Sequence, residues 1–325
     1  MPKVRYEDHN FKPATVETIR KANAIIAEYT AEGYTLTLRQ VYYQMVARGF
    51  IPNTQQSYSR LGDVISKARR AGMVDWLAIV DRTRNLRALS AWSSPAEIIE
   101  ASAAQFRFDW WARQPTYVEV WFEKDALLGV FERAANRLRV PFFSCRGYTS
   151  DSEVWAAAQR LAAQGRRKAG GVVVLHFGDH DPSGIDMTRD IQDRLRLFGA
   201  RGVEVRRLAL NMDQIEQYDP PPNPAKESDS RFEGYRDLYG SESWELDALE
   251  PRVLAALVND EVDTLIDRAA WRRSQEDETL ARRQLTAVSN EWTNVVESPV
   301  VTDEVERLEG EATASDDDTD ATTEE

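Results

Sequence analysis

Val172-Val-Val-Leu-His-Phe-Gly-Asp-His-Asp-Pro-Ser-Gly184 is an apolar, β-branched run that stops at two carboxylates, Asp179 and Asp181, flanking one histidine. A short continuous apolar run closed by a Gly/Pro turn reads as a strand buried on both faces. Residues i and i+2 of an extended chain point to one side, so Asp179 and Asp181 are expected to converge while His180 faces away. An earlier run, Tyr117-Val-Glu-Val-Trp-Phe122, ends the same way in Glu123-Lys124-Asp125. If the two strands are neighbours, Glu123, Asp179 and Asp181 meet at the carboxyl edge of one sheet. Two such charges about 4 Å apart repel by roughly 4 kcal/mol at an effective dielectric near 20, so something must neutralise them. Protonation or a salt bridge serves, but an open all-oxygen cluster suits Mg²⁺, with Mn²⁺ as a substitute. Asp-x-Asp after a strand also occurs in phosphatases and glycosyltransferases. Here a lone glutamate strand comes first and a small-residue turn, Pro182-Ser-Gly184, follows.

Working outward, strands near 117–122, 140–143, 172–177 and 203–210 alternate with helices near 125–138, 151–164 and 184–198. That alternation predicts a mainly parallel sheet covered on both faces, with ligands at the carboxyl-end loops. The region before it differs. Val16, Ile19, Ala22, Ile26 and Tyr29 recur at helical spacing after Pro13, and Gly33 ends the run. Thr37 can cap a second helix, Leu38 to Arg48, closed by Gly49. A third is predicted from about Gln55 to Ala71, stopped by Gly72, and Trp76-Leu-Ala-Ile-Val80 reads as a short strand. Three helices, a strand and a basic stretch outline a winged helix-turn-helix. Beyond the sheet, Asp219-Pro-Pro-Pro-Asn-Pro224 begins an irregular excursion, followed by helices from about Arg252 into the 270s and near 277–295. The expected fold class is therefore α/β: a winged helix over 1–115, a Rossmann-like domain over 116–295 and a disordered acidic tail over 296–325.

The formal net charge of -13 hides an uneven distribution. The segment from Val300 to Glu325 holds eleven Asp/Glu against Arg307, whereas residues 1–115 hold sixteen Lys/Arg against eleven Asp/Glu. The split fits a basic nucleic-acid-facing part and a solvated acidic tail. Cys145 is the single cysteine, which excludes an intramolecular disulfide or a cysteine-based zinc site. No apolar run approaches the roughly 20 residues needed to span a bilayer, and the stretch Met1 to His9 lacks the apolar core of a signal peptide. A cytoplasmic, nucleoid-associated protein without a membrane partner is expected.

Arg39 precedes Tyr43 by four residues, so on a helix the guanidinium and phenol share one face. A free tyrosine is only about 0.1% phenolate at pH 7, and a nucleophilic tyrosine needs a nearby cation such as Arg39. Packing of Tyr42 in the core and Tyr43 at a helix surface is the competing reading. Arg60, Lys67, Arg69 and Arg70 line the third helix, and Arg82 and Arg84 follow the expected short strand. They read either as phosphate contacts or as a solvated basic face. Glu245 and Asp247 are additional acidic candidates, or simply the start of a helix. His176, inside the strand, reads as a satisfied core histidine.

Glu123-Lys-Asp-Ala126 followed by Gly178-Asp-His-Asp-Pro-Ser-Gly184 resembles the Toprim domain of DNA topoisomerases, primases and related nucleases. Leu38-Arg-Gln-Val-Tyr-Tyr43 upstream is similar to the Arg-x-x-Tyr-Tyr motif in the DNA-cleaving component of topoisomerase VI and in its meiotic double-strand-break relatives. The order of parts matches that family over roughly residues 15–290. The resemblance implies that Tyr43 attacks a DNA phosphodiester to leave a 5′-phosphotyrosyl link, that Arg39 supports it, and that Glu123, Asp179 and Asp181 hold Mg²⁺. It also implies a homodimer, since in that family the tyrosine of one protomer meets the metal site of the other, and double-stranded DNA as substrate. The family uses a longer N-terminal region to engage a separate B-type ATPase partner. The chain thus resembles the orphan cleaving components of mobile elements called Mini-A. A Toprim nuclease using metal-activated water and a non-catalytic DNA-binding accessory are the alternatives.

Overall fold

The computed structural model describes residues 3–79, 89 and 91–317. Helices α1 (Pro13–Ala31), α2 (Leu38–Ala47) and α3 (Gln55–Arg70) open the chain. Thr37 and Gln40 start α2 with a reciprocal capping box, and Thr54 starts α3 by accepting from Ser57 N at 3.1 Å. Gly33, Gly49 and Gly72 follow the helices at φ of 80°, 67° and 71°, where any side chain would be strained. Ile25, Tyr29, Val41, Met45, Leu61 and Ile65 form one core between the three; of the apolar positions expected along α1, Ile19, Ala22, Ile26 and Tyr29 are buried there and Val16 is exposed. The strand expected at 76–80 does not form among the described residues. Ile79 makes a single parallel bridge to Leu36, and Val80 lies outside them. Backbone groups there are satisfied by side chains instead: Asp75 accepts from Leu77 N, and Arg69 donates to Trp76 O.

Helix α4 (Pro95–Gln105), which the sequence reading missed, precedes the sheet. Strands β1 (Tyr117–Phe122), β2 (Phe142–Ser144), β3 (Val172–Phe177) and β4 (Val203–Ala209) form a parallel sheet ordered β2-β1-β3-β4. The protein is α/β, as its strand and helix alternation predicts. β1 and β3 are buried at every residue, which is why they read as unbroken apolar runs. Helix α5 (Leu128–Arg137) follows β1, α6 (Asp151–Gly165) follows β2, and α7 (Pro182–Leu197) links β3 to β4. Leu161 of α6 and Met187, Ile191 and Leu195 of α7 pack with Trp121, Val172 and Val174 on one face. Phe131 of α5 covers the other, stacked on Phe122 at 4.5 Å and tilted against Phe177 at 4.7 Å.

After β4 come α8 (Met212–Tyr218), a two-stranded antiparallel pair of β5 (Asn223–Pro224) and β6 (Glu242–Ser243) enclosing α9 (Phe232–Tyr239), and α10 (Pro251–Leu265), which packs on α5. The helix predicted to run from 252 into the 270s breaks at Ile266–Asp267. The Gln114 side chain accepts from Asp267 N at 2.7 Å and donates to Asp267 O at 3.2 Å. Both peptide groups are therefore bonded to that amide.

Two compact units result, Met1–Asn85 with Gln114–Asp267 and Leu86–Arg113 with Arg268–Glu325. The first holds the N-terminal helices and the sheet together. The second comprises α4, α11 (Arg268–Asn290), α12 (Trp292–Val296) and α13 (Pro299–Asp317). There Trp271 packs edge-on against Trp110 and Trp111, and Arg282 donates to the α4 carbonyls of Ala103 and Ala104. Of the segment 296–325, expected to be disordered, the described part is helical. Its Ala- and Glu-containing sequence and an Arg307–Glu304 ion pair one turn apart suit a helix.

Candidate functional site

The order β2-β1-β3-β4 makes the gap between β1 and β3 the point where successive connections leave in opposite directions, and ligands of open α/β sheets collect there. Phe122 and Phe177 are in register, so both strands end level, and Glu123 N donates to Phe177 O at 2.9 Å. Glu123 Oε2 accepts from Asp179 N at 2.9 Å, which brings the two acidic positions side by side. The turn after Asp179 leaves no room for a Cβ at residue 184: one placed there would stand 2.2 Å from Asp179 O. Asp181 caps α7, its Oδ1 accepting from Gly184 N at 2.6 Å and Ser183 Oγ at 2.8 Å. His180 turns the other way, its ring 4.8 Å from Tyr239 and its Nδ1 2.8 Å from the Tyr235 hydroxyl.

A distant segment completes this edge. His180 and Trp244 exchange backbone hydrogen bonds of 2.8 and 2.9 Å, and Leu246 N donates to Asp179 Oδ1 at 2.7 Å. That bridge delivers Glu245 and Asp247. Lys124 Nζ lies among three carboxylates, 2.9 Å from Asp179 Oδ2, 2.8 Å from Glu245 Oε2 and 3.3 Å from Asp247 Oδ1. Arg39 reaches the same pair from α2, pairing with Glu245 and lying 2.7 Å from Asp247 Oδ2 through Nε. Tyr43 and Glu245 line one cleft. From Glu245 a bonded chain runs through Lys124 to Asp179 and on to Glu123.

A cleft of about 250 Å³ opens beside Tyr43, lined also by Arg39, Tyr42, Asn53, Gln55, Tyr58 and Glu245. Tyr42 turns its hydroxyl to Asn53 Oδ1 at 3.0 Å and Thr54 O at 3.1 Å, while Tyr43 is 4% exposed. Arg39, expected beside the Tyr43 phenol, holds its guanidinium carbon 5.7 Å from that ring, donates to Glu245 and pairs with Asp247 by charge alone.

Five carboxylates (Glu123, Asp179, Asp181, Glu245, Asp247) thus face three cations, since buried Arg207 approaches from the sheet side and donates to Gly178 O, Asp179 O and Gly184 O. Burial, reinforced by Glu123 and Asp247, pushes the Asp179 carboxyl up to about 7 despite the Lys124 ammonium. Burial likewise raises Glu123 and Asp247. For Glu245 burial is overridden by Lys124 and Arg39, which hold it at about 2. The Tyr43 phenol is raised well above its ordinary value by burial and by Asp247 and Glu245, so at rest it is protonated. His176 is buried with Nδ1 2.8 Å from Thr188 Oγ1 but no partner at Nε2, so the satisfied core histidine expected from sequence is half-satisfied. Burial drives its pKa down to about 3.

Among the described residues no three His, Cys, Asp or Glu side chains are disposed to hold a metal ion, and Lys124 stands where three carboxylates meet. The chemistry of the donor set nonetheless fits a hard cation. The donors are all oxygens, they outnumber the cations, and Asp247 Oδ2 accepts no aligned hydrogen bond although Arg39 Nε is 2.7 Å away. Of the expected DNA-binding residues, Arg60 and Lys67 are exposed on α3. Arg69 is committed to Trp76 O and Ile79 O, and Arg70 donates to Glu7 at 3.0 Å. Arg82 and Arg84 lie outside the described residues. Sequence reasoning gave Lys124 and Arg207 no role. For Lys124 the available signal was its place beside Glu123.

Comparison of the chain with protein-family models, curated proteins and solved structures gave no match. Among the described residues no helix is long and apolar enough to cross a membrane.

Proposed function

We propose that this protein is a Mg²⁺-dependent DNA-cleaving enzyme of the topoisomerase VI type, with a winged helix formed around α1–α3 and a Toprim domain formed by the parallel sheet. The observation that carries this reading is that Tyr43 lines one cleft with Glu245, whose carboxylate is joined through Lys124 to Asp179. Tyrosine and acidic cluster belong to one site, although 136 positions separate Tyr43 from Asp179 in the sequence.

In the proposed reaction Tyr43 Oη bonds to the phosphorus of one strand, the P–O3′ bond breaks, and the electron pair leaves on the 3′ oxygen. The phenolic proton passes to water in the cleft, and the 3′ oxygen takes a proton from water. One phosphodiester replaces another of similar energy, so the break can be resealed without an external energy source. Glu123, Asp179 and Asp181 would hold Mg²⁺, which neutralises phosphoryl charge. Arg39 faces the cleft and supplies positive charge near the attacking oxygen. Arg60 and Lys67 on α3 would meet the phosphates of double-stranded DNA. With tyrosine and acidic cluster taken from one chain, in place of the pairing between protomers that the resemblance implies, one chain makes a nick and a homodimer would apply two sites to the two strands. The ATPase partner and the nucleoid setting follow from the same resemblance.

The burial of Tyr43 favours a second reading, metal-dependent hydrolysis by water without a covalent intermediate. Supercoiled plasmid incubated with protein and Mg²⁺ and stopped with SDS separates the two. Protein-linked 5′ ends are expected from the wild type and absent from Tyr43→Phe and Asp179→Ala. Cleavage that survives Tyr43→Phe would establish hydrolysis instead, and no cleavage by the wild type would reject both.

A further inference from the structure

Lys124 occupies the position that a metal would be asked to fill. Its side chain is 18% exposed, and its ammonium has oxygens of Asp179, Glu245 and Asp247 within 2.9, 2.8 and 3.3 Å. Three N–H donors thus face three carboxylates. The stem leaves the chain directly after Glu123, where β1 ends, so the cation is tethered to the sheet edge itself. One unit charge is a poor match for this surrounding. Asp247 Oδ2 has only the misaligned Arg39 Nε at 2.7 Å, and with Arg39 counted the three carboxylates still face two cations. A divalent ion brings twice the charge and binds oxygens at roughly 2.1 Å, closer than an ammonium can approach. An ammonium and a divalent ion cannot share these oxygens, because like charges at such separations repel strongly.

We propose that Lys124 is an internal stand-in for the divalent cation: it holds Asp179, Glu245 and Asp247 together in the metal-free protein and withdraws when the metal binds, so that Glu245 and Asp247 join Asp179 as metal-facing carboxylates. The inference rests on the metal-dependent reading above and deepens it. Glu245 also pairs with Arg39 and lines the cleft beside Tyr43, so withdrawal of Lys124 changes the surroundings of the tyrosine at the moment the metal arrives. Metal loading and that change around Tyr43 become one event.

Mn²⁺ alone, without DNA, is the probe. Its affinity, read by the loss of the free Mn²⁺ electron paramagnetic resonance signal, is expected to be at least tenfold tighter for Lys124→Met than for the wild type. Equal or weaker binding by the variant overturns the proposal. The variant leaves buried carboxylates uncompensated and is at risk of misfolding, so the second measurement uses the full wild-type chain. Lysine acylation by an N-hydroxysuccinimide ester is followed by peptide mass spectrometry, with Lys12 and Lys21 as internal references. Lys124 should resist acylation in metal-free protein and become several-fold more reactive at saturating Mn²⁺. Reactivity that does not change with Mn²⁺ overturns the proposal whatever the fate of the variant. Neither readout involves DNA or Tyr43, so its failure is distinct from an absence of protein-linked DNA ends.

Discussion

Asp179 carries opposed demands. Its carboxyl accepts from Leu246 N and pairs with Lys124, yet burial and neighbouring anions raise its pKa from 3.8 to about 7. A group with a raised folded-state pKa contributes stability that is complete below its unfolded value and is lost as pH rises through the folded one. Metal-free protein should therefore weaken between about pH 4 and pH 7 on account of this residue. Asp179→Asn keeps an acceptor for Leu246 and loses the charge, so its advantage over wild type in urea midpoint should grow from pH 5 to pH 8 in a chelator. A gap that narrows over that range would contradict the assignment. Glu245 has the opposite sign: held at about 2 against an ordinary 4.5, it supports the fold above pH 4.5 and loses that effect as pH falls toward 2. Of these residues Asp179 was legible in the sequence, because a strand ending in Asp-x-Asp advertises itself locally. Lys124 was not, because its three partners stand 55, 121 and 123 positions away and no local pattern encodes them.

Among the elements, the two central strands and the helix covering them depend on one ring. Phe131 is fully buried between Phe122 and Phe177, the last residues of β1 and β3. Phe131→Ala should cost about 3–5 kcal/mol, measured by urea unfolding, since the cavity would open in a face that cannot close over it. A loss under about 1 kcal/mol would mean that α5 resettles onto the sheet. The damage should extend to function, because Glu123 and Gly178 continue directly from the two flanking phenylalanines. The parallel sheet was readable from sequence because strands buried on both faces carry unbroken Val, Leu and Phe. The break between α10 and α11 was not, because it is set by the amide of Gln114 from a remote part of the chain. Helix α4 escaped for the opposite reason: Ser94 caps it and Pro95 starts it, but its small Ala and Ser residues give little apolar periodicity.

For the whole molecule, the decisive feature is that the second compact unit is assembled from two stretches of sequence, 86–113 and 268–325, separated by the sheet segment 114–267. A chain ending at Asp267 would keep every residue of the candidate site but leave α4 without α11. Limited proteolysis of that truncation should cut rapidly within 91–113 while the sheet unit survives, and equal resistance in both regions would refute the dependence. The same arrangement imposes an order of events in the living cell. At about 5–20 residues per second of synthesis, α4 leaves the ribosome roughly 10–30 s before α11 exists to receive it. Throughout that wait the face bearing Ala103 and Trp111 has nothing of its own to cover it. The newborn chain is thus a client for whatever guards exposed apolar surface at the ribosome.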